Sequence, residues 1–407
     1  MLLPLDIVVE GMPPWQEVGQ VVDLHNPILE DAVYYIFPVK QWTAEVVRQG
    51  SLPLWNPYVF TGYPAIYDTQ AGLFYPFSLL YYLLPAATAV DLTILLQMMA
   101  GTLFMYLYLR QIRLRRLAAV VGGVLFIFNG LMVVWLEWQV VHAAVIWLPL
   151  LLVLVERTVQ AAAENRENPW VYAAGAGVVL ALPWLGGHWN WTLYMSVTAV
   201  AYLLWRLLIL GRSQWKKMVG IIGVVLGVGV GLSLIQVLPA FAFLSQSHRQ
   251  PLSWAEVKQF GLLNRLVVVT LPDFFGSPLA GNWWGVDNYN ETTIYMGVMA
   301  LLLAGMALWL RRDRLAAFLG RVGRAGFVAG FGSAVLWGVV CAAGVQWLAA
   351  QSSRGTGGGV YGRFSSDGRG SIIRGVVSGA GWPGSGGNWR YVGGDNGRLP
   401  VLLSWAS

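Results

Sequence analysis

Long apolar runs separated by short polar breaks dominate the chain. Runs close to the roughly 20 residues needed to cross a bilayer core fall at about 90–110, 117–136, 141–156, 170–186, 191–210, 218–238 and 293–310, with a weaker eighth at about 326–349. They predict an all-α membrane protein, a polytopic helical bundle with seven or eight transmembrane helices. The run at 141–156 is short for a full span, so local bilayer thinning or a partly re-entrant path is expected there. Residues 1–89 carry too much proline and glycine for a span and too many aromatics for a disordered tail, which predicts a large helical and irregular first loop folded against the membrane.

Composition agrees with the pattern: 57% of the residues are hydrophobic and 11% charged, against about 25% charged in soluble domains. The net charge of +6 does not form a nucleic-acid patch, because the basic residues fall in short clusters between apolar runs. Those clusters set an orientation through the excess of Lys and Arg on cytoplasmic loops. One set of connections holds Arg110, Arg113, Arg115, Arg116, Arg157, Arg166, Arg206, Arg212, Lys216, Lys217, Arg311, Arg312, Arg314, Arg321 and Arg324. The other set holds only Lys40, Arg48, Arg249, Lys258 and Arg265, and most of the acids. The second side is therefore read as external, and any chemistry is expected there. The lone cysteine, Cys341, excludes an intramolecular disulfide and a cysteine metal cluster.

Within the first loop, Ile28 to Arg48 reads as a helix entered at Asn26 and Pro27 and left at Gly50, with Pro38 expected to kink or split it. A stripe of Asp31, Tyr35, Val39 and Trp42 would press one carboxylate against an aromatic face. Partial burial there would suit Asp31 to general-base work, whereas an external carboxylate is more often simply solvated. Glu30 lies beside it on a different helical face. The stretch SLPLWNPYVFTGYPAIYDTQAGLFYPF is a succession of turns whose Trp55, Tyr58 and neighbouring rings alternate with Asn56, Asp68, Thr69 and Gln70. That mixture reads either as an interfacial aromatic belt or as a stacking platform for a sugar or lipid headgroup. His188, in LGGHWNW, sits between two spans at the external surface, with His142 placed similarly. In the loop 239–292, Asp273, Asn282, Asp287, Asn290 and Glu291 could hold a hard divalent cation or form plain polar loop. A phosphate would draw on Arg249, Lys258 and Arg265.

Several of these segments occur in a recognisable order: NPILEDAVYYIFPVKQW, GSLPLWNPYVFTGYPAIYDTQAGLFYP, GGHWN, GVGLSLIQVLPAFAF, then LPDFFGSP with NWWG, NYNE and Tyr295. The succession, from about residue 3 to about 310, resembles the YfhO family of bacterial polytopic membrane proteins. That resemblance implies a GT-C type membrane glycosyltransferase in the bacterial cytoplasmic membrane, with its active face external. Its donor would be a sugar linked to polyprenyl phosphate and its acceptor part of the cell envelope. It also implies Asp31 as the first-loop acid, because Asp31 begins the Asp-x-x-x-x-x-x-Pro pattern that ends at Pro38. Glu30, Tyr35, Trp55, Asn56, Tyr58, Gln70, His188, Asp273 and Arg249 are the expected substrate-binding set, with membrane lipid and the lipid-linked sugar as partners and no nucleic acid. GHWN stands where the family pattern has GHPQ. A transporter or flippase of lipid-linked sugars, or a non-catalytic envelope-assembly protein, is the alternative; the first usually shows internal repeats and polar groups at the midplane, and no internal repeat is visible.

The expected organisation is an external loop domain at 1–89, a helical core at 90–310, a basic linker with the eighth helix at 311–350, and a tail at 351–407. The tail holds 16 glycines with no packing period, which predicts a flexible segment or a shifted reading frame. The opening MLLPLDIVVEGMPPW lacks a signal-peptide pattern. Export of the N-terminus is then expected from the helix at 90–110, acting as a reverse anchor, or from an upstream helix.

Overall fold

A computed structural model describes residue 8 and residues 29–59, 61–165, 167–245, 267–285, 289–293, 295 and 297–310. Among these residues the protein is mostly helical and has no strand; a single antiparallel bridge joins Asn56 and Tyr63. The helices are α1 (Phe37–Arg48), α2 (Leu79–Leu83), α3 (Ala86–Gln111), α4 (Arg116–Ile127), α5 (Gly130–Val134), α6 (Val140–Val145), α7 (Trp147–Glu164), α8 (Pro169–Ala181), α9 (Trp189–Leu207), α10 (Trp215–Leu244), α11 (Tyr289–Thr292) and α12 (Val298–Leu310). Three stretches are long and apolar enough to cross a membrane: Ala86–Gln111, Val140–Glu164 and Trp215–Leu244. Arg116–Ile127 and Pro169–Leu185 are apolar but shorter. The expected eighth run, the basic linker and the 351–407 tail lie outside the described residues, as does Arg249.

The seventh expected run, 293–310, is helical only from Val298, and two others differ from the observed helices for local reasons. The run at 117–136 breaks at Asn129, whose side-chain amide donates to the Phe126 carbonyl at 2.6 Å while its oxygen accepts from the Met132 N–H at 3.2 Å, ending one helix and capping the next. The run at 141–156 continues to Glu164, because Glu156 does not terminate it. Glu156 instead faces inward and pairs with Arg206 of α9.

Helix α7 is the centre of the bundle, packed against α3, α8 and α9. Most of its residues are buried, with a partly exposed face at Leu150, Val153, Leu154 and Arg157. By contrast, α10 leaves Leu232, Ile235, Leu238 and Phe241 exposed. It meets α8 at Gly177, where an added Cβ would come within 2.8 Å of the Val225 carbonyl oxygen, so only glycine permits that backbone approach.

Each end of the bundle has its own set of polar links. At one end Arg206 binds Glu156, Gln111 binds Gln160 at 2.9 Å, and Lys217 reaches the Ala162 carbonyl at 2.6 Å. At the opposite helix ends the segment 29–84 docks instead. Gln97 and Trp147 contact the Tyr75 hydroxyl, Trp189 donates to Thr69 at 2.7 Å, and Gln236 donates to the Ile66 carbonyl at 2.8 Å. The basic residues described there and the acid-bearing, aromatic segment thus occupy different ends of the same helices.

Candidate functional site

The site begins with a π-turn, Ala32–Ile36, in which the Phe37 N–H reaches back to the Ala32 carbonyl. It lies immediately before Pro38, which has no N–H to offer and would crowd an α-turn; the wider turn accommodates it without splitting the helix. Because a π-turn carries an extra residue, it rotates the expected stripe. The buried face is Ala32, Val33, Ile36, Val39, Lys40, Thr43 and Ala44, while Asp31 and Glu30 are exposed and Tyr35 and Trp42 half-buried. The expected burial of Asp31 against aromatic rings is therefore corrected: its carboxylate faces outward, one turn before Tyr35. Arg48 closes the other end of α1 by donating to the carbonyls of Tyr81 and Leu84, both at 2.5 Å, and so ties α1 to α2.

Asp68 organises the turns that follow. One carboxylate oxygen accepts the hydroxyls of Tyr35 at 2.7 Å and Tyr63 at 3.1 Å; the other accepts the backbone N–H groups of Gln70 at 2.9 Å and Ala71 at 3.3 Å. A carboxylate has about four lone-pair positions, and four donors occupy them. Asp68 thus anchors the loop and has little capacity left to act as a base. Burial, reinforced by the Asp68 charge, pushes both tyrosine hydroxyls well above their ordinary range, so they remain donors. Lys40 lies beneath this hub, 6% exposed, with its ammonium 5.3 Å from the centre of the Tyr81 ring. Burial lowers its pKa to about 8, against the opposing pull of Asp68.

Above the hub, Asn56 and Tyr63 exchange backbone hydrogen bonds at 2.8 and 2.9 Å, and the Asn56 side chain accepts the Tyr58 N–H at 3.0 Å. Asn56 is buried and holds a turn; it is a framework residue rather than the surface contact that was expected. The turn closes at Gly62, whose φ of +110° and whose contact with the Trp55 indole both exclude a side chain, since a Cβ would sit 2.6 Å from that ring. Trp55 and Tyr58 are left outward-facing, 57% and 81% exposed. A wall of rings borders the loop. Tyr67 stacks on Phe243 with centroids 5.3 Å apart, and Trp189 meets Phe241 at 5.6 Å and Trp184 at 5.9 Å.

Of the expected site residues, Tyr35 and Gln70 meet at Asp68. His188 caps α9, its backbone N–H bonded to the Val140 carbonyl at 3.0 Å and its ring edge-on to Trp135 with centroids 6.0 Å apart. His142 is buried within α6. Asp273 accepts the Tyr289 hydroxyl at 3.0 Å, which with burial raises that phenol to about 12. Asn282 turns its oxygen to the Ser277 N–H at 2.8 Å, away from any shared cation geometry with Asp273. Among the described residues no cluster of His, Cys, Asp and Glu could hold a metal ion. Asp287, Lys258 and Arg265 lie outside the described residues.

Sequence reasoning missed the central roles of Lys40 and Asp68. The signal for Lys40 was its register: Ile36, Lys40, Thr43 and Ala44 follow the spacing of a buried helical face, so the lysine stands where an apolar residue belongs. For Asp68 the missing signal was Tyr35, which binds it from 33 residues away, a distance no local pattern encodes. No protein-family model matches the chain, and neither the curated proteins nor the solved structures contain a match.

Proposed function

We propose that the protein is a glycosyltransferase-like polytopic membrane protein of seven or eight transmembrane helices, transferring a sugar from a polyprenyl-phosphate carrier to an external cell-envelope acceptor. In this reading it resides in the bacterial cytoplasmic membrane with segment 29–84 on the external face. The observation that carries the proposal is the separation of the two ends. Carboxylates, tyrosines and exposed rings collect on one set of helix ends, and the basic clusters join the other set, which is the arrangement that the bias of Lys and Arg toward cytoplasmic loops would give. The resemblance of the first loop to the YfhO family supports the choice of chemistry.

Asp31 is the base in this scheme. Asp68 is saturated by four donors, whereas Asp31 stands exposed one turn from Tyr35 on a helix that Arg48 and the apolar contacts of α1 hold in place. Asp31 would take the proton of the acceptor hydroxyl as the new glycosidic bond forms at the sugar, and the lipid phosphate would leave with the electrons of the broken bond. Trp55 and Tyr58 would stack on the sugar ring. Replacement of Asp31 by Asn should lower transfer from a labelled polyprenyl-phosphate sugar by about 10²–10⁴-fold without changing protein level or thermal stability. Unchanged transfer would remove Asp31 from the mechanism. Loss of labelled-lipid translocation with transfer intact would instead favour a flippase.

A further inference from the structure

Below the Asp68 hub lies a small cavity that none of the expected site residues lines. Lys40, Tyr75, Ser78, Tyr81, Thr93 and Gln97 border it, and it has room for about one water-sized particle. Three observations concern charge and hydrogen bonding there. First, Lys40 is buried with no carboxylate within ion-pair distance among the described residues; the acid acting on it, Asp68, does so only through its field. A buried cation in that position calls for a counter-charge. Second, the Ser78 hydroxyl and the Gln97 side-chain oxygen are buried without a hydrogen-bond partner among the described residues. The Ser78 hydroxyl and the Lys40 ammonium converge, lying 3.1 and 3.6 Å from a single point beside Gly72.

Third, the Tyr75 hydroxyl already accepts the Trp147 indole N–H at 3.1 Å, so its own proton needs an acceptor, and the Gln97 amide lies 3.4 Å away. The two ends of a glutamine amide are assigned from their surroundings. With the amide turned so that its oxygen accepts from Tyr75, the unpaired carbonyl disappears and the NH₂ group points into the cavity. The walls then present an ammonium, an amide NH₂ and two hydroxyls, all able to donate inward.

We propose that this cavity is a binding site for a small monovalent anion of the halide class, held by the Lys40 ammonium, the Gln97 amide and the Ser78 and Thr93 hydroxyls. The bound ion neutralises a cation at the joint between α1, α2 and α3, and thereby fixes the floor on which the Asp68 loop rests. A neutral water would satisfy the hydroxyls and leave the charge of Lys40 uncompensated.

The test uses the full chain in detergent micelles at pH 7. Thermal unfolding is followed by tryptophan fluorescence in potassium chloride and in potassium gluconate at equal ionic strength, gluconate being too large for the cavity. Chloride should raise the unfolding temperature saturably by about 2–4 °C. Lys40→Met and Gln97→Leu should each abolish that dependence on the anion. If Lys40→Met does not fold, Gln97→Leu carries the comparison. Equal unfolding temperatures in the two salts, or a chloride effect retained in Gln97→Leu, would overturn the proposal. Crystals grown in bromide provide the direct reading: an anomalous peak between Lys40 and Gln97 supports the site, and its absence refutes it.

Discussion

The two ends of the bundle both saturate a carboxylate with donors, one among packed helices and the other in an irregular loop. At the basic end, the Glu156 carboxylate is met by Arg206 through two of its nitrogens and by the Tyr202 hydroxyl at 2.5 Å, and Tyr202 accepts in turn from Tyr108 at 3.1 Å. All of these groups sit on long helices, and the fork of the guanidinium matches the carboxylate. At the acid-bearing end, Asp68 is equally saturated, but by an irregular loop and a π-turn. Around it remain groups with capacity to spare: the exposed carboxylate of Asp31, the rings of Trp55 and Tyr58, and the ammonium of Lys40. A fully satisfied network between packed helices acts as a pin, whereas an anchored loop with spare donors and acceptors is where a ligand can add something.

The contrast is tested most strongly at the pin. Glu156→Ala should leave Arg206 largely buried and unpaired and destabilise the protein by about 3 kcal/mol. The double replacement Glu156→Leu with Arg206→Met should recover most of that loss, since two apolar side chains remove the desolvation cost along with the pair. Thermal unfolding of the purified variants measures both, and a double variant as unstable as the single one would contradict the description of this network as a self-contained pin. Asp68→Asn should cost less, about 2 kcal/mol. An asparagine keeps one acceptor for the backbone amides but sets its NH₂ group against two tyrosine donors. The damage should also be local: hydrogen exchange should quicken across 62–72 while α7 keeps its protection. Uniform loosening of the bundle would mean that the loop is not the separable element described above.

A pH dependence distinguishes the ends further. Burial depresses the pKa of Lys40 in the folded state to about 8, below its ordinary 10.5. Between those values the unfolded chain binds more protons than the folded one, so stability rises with pH through this window. The groups facing Lys40 are Asp68, Tyr75 and Tyr81, and burial pushes the two tyrosine hydroxyls well above their ordinary range. In gluconate the wild-type protein should therefore gain stability from pH 8 to 9.5 relative to Lys40→Met. A flat difference between the two proteins would show that burial does not depress the Lys40 pKa in the folded state.

Legibility in the sequence followed the range of the interaction that fixed each feature. Hydropathy alone placed an apolar helix at or near Ala86–Gln111, Pro169–Ala181, Trp189–Leu207 and Trp215–Leu244, because apolar length is a local property. It failed where a side chain paired across the bundle: Glu156 was read as the end of a span because its partner Arg206 is 50 residues away. Pro38 correctly flagged an irregularity in the first helix, yet not its form. A π-turn at Ala32–Ile36 lies between Asp31 and the rest of the expected stripe, and Asp31 ends exposed rather than against the rings. Turn residues placed Trp55, Asn56 and Tyr58 in one compact loop, but not which of them would face solvent. That depended on the Asn56–Tyr63 bridge and on the Trp55 ring filling the space over Gly62.

The smallest stability effect should come from Tyr58, and it separates the two readings of the exposed rings. At 81% exposure its ring contributes little to packing, so Tyr58→Ala should change stability by less than about 0.5 kcal/mol. A ring that serves only as an interfacial anchor would leave substrate affinity untouched, whereas a stacking ring would lower it by about 1–2 kcal/mol, a rise of roughly tenfold in KM for the lipid-linked sugar. Trp55→Phe keeps an aromatic face over Gly62 and should preserve most of that affinity, while Trp55→Ala should not. If both alanine variants left KM and kcat unchanged, the rings would belong to a membrane belt, and the acid-bearing end would lose its claim to be a saccharide site even with Asp31 intact.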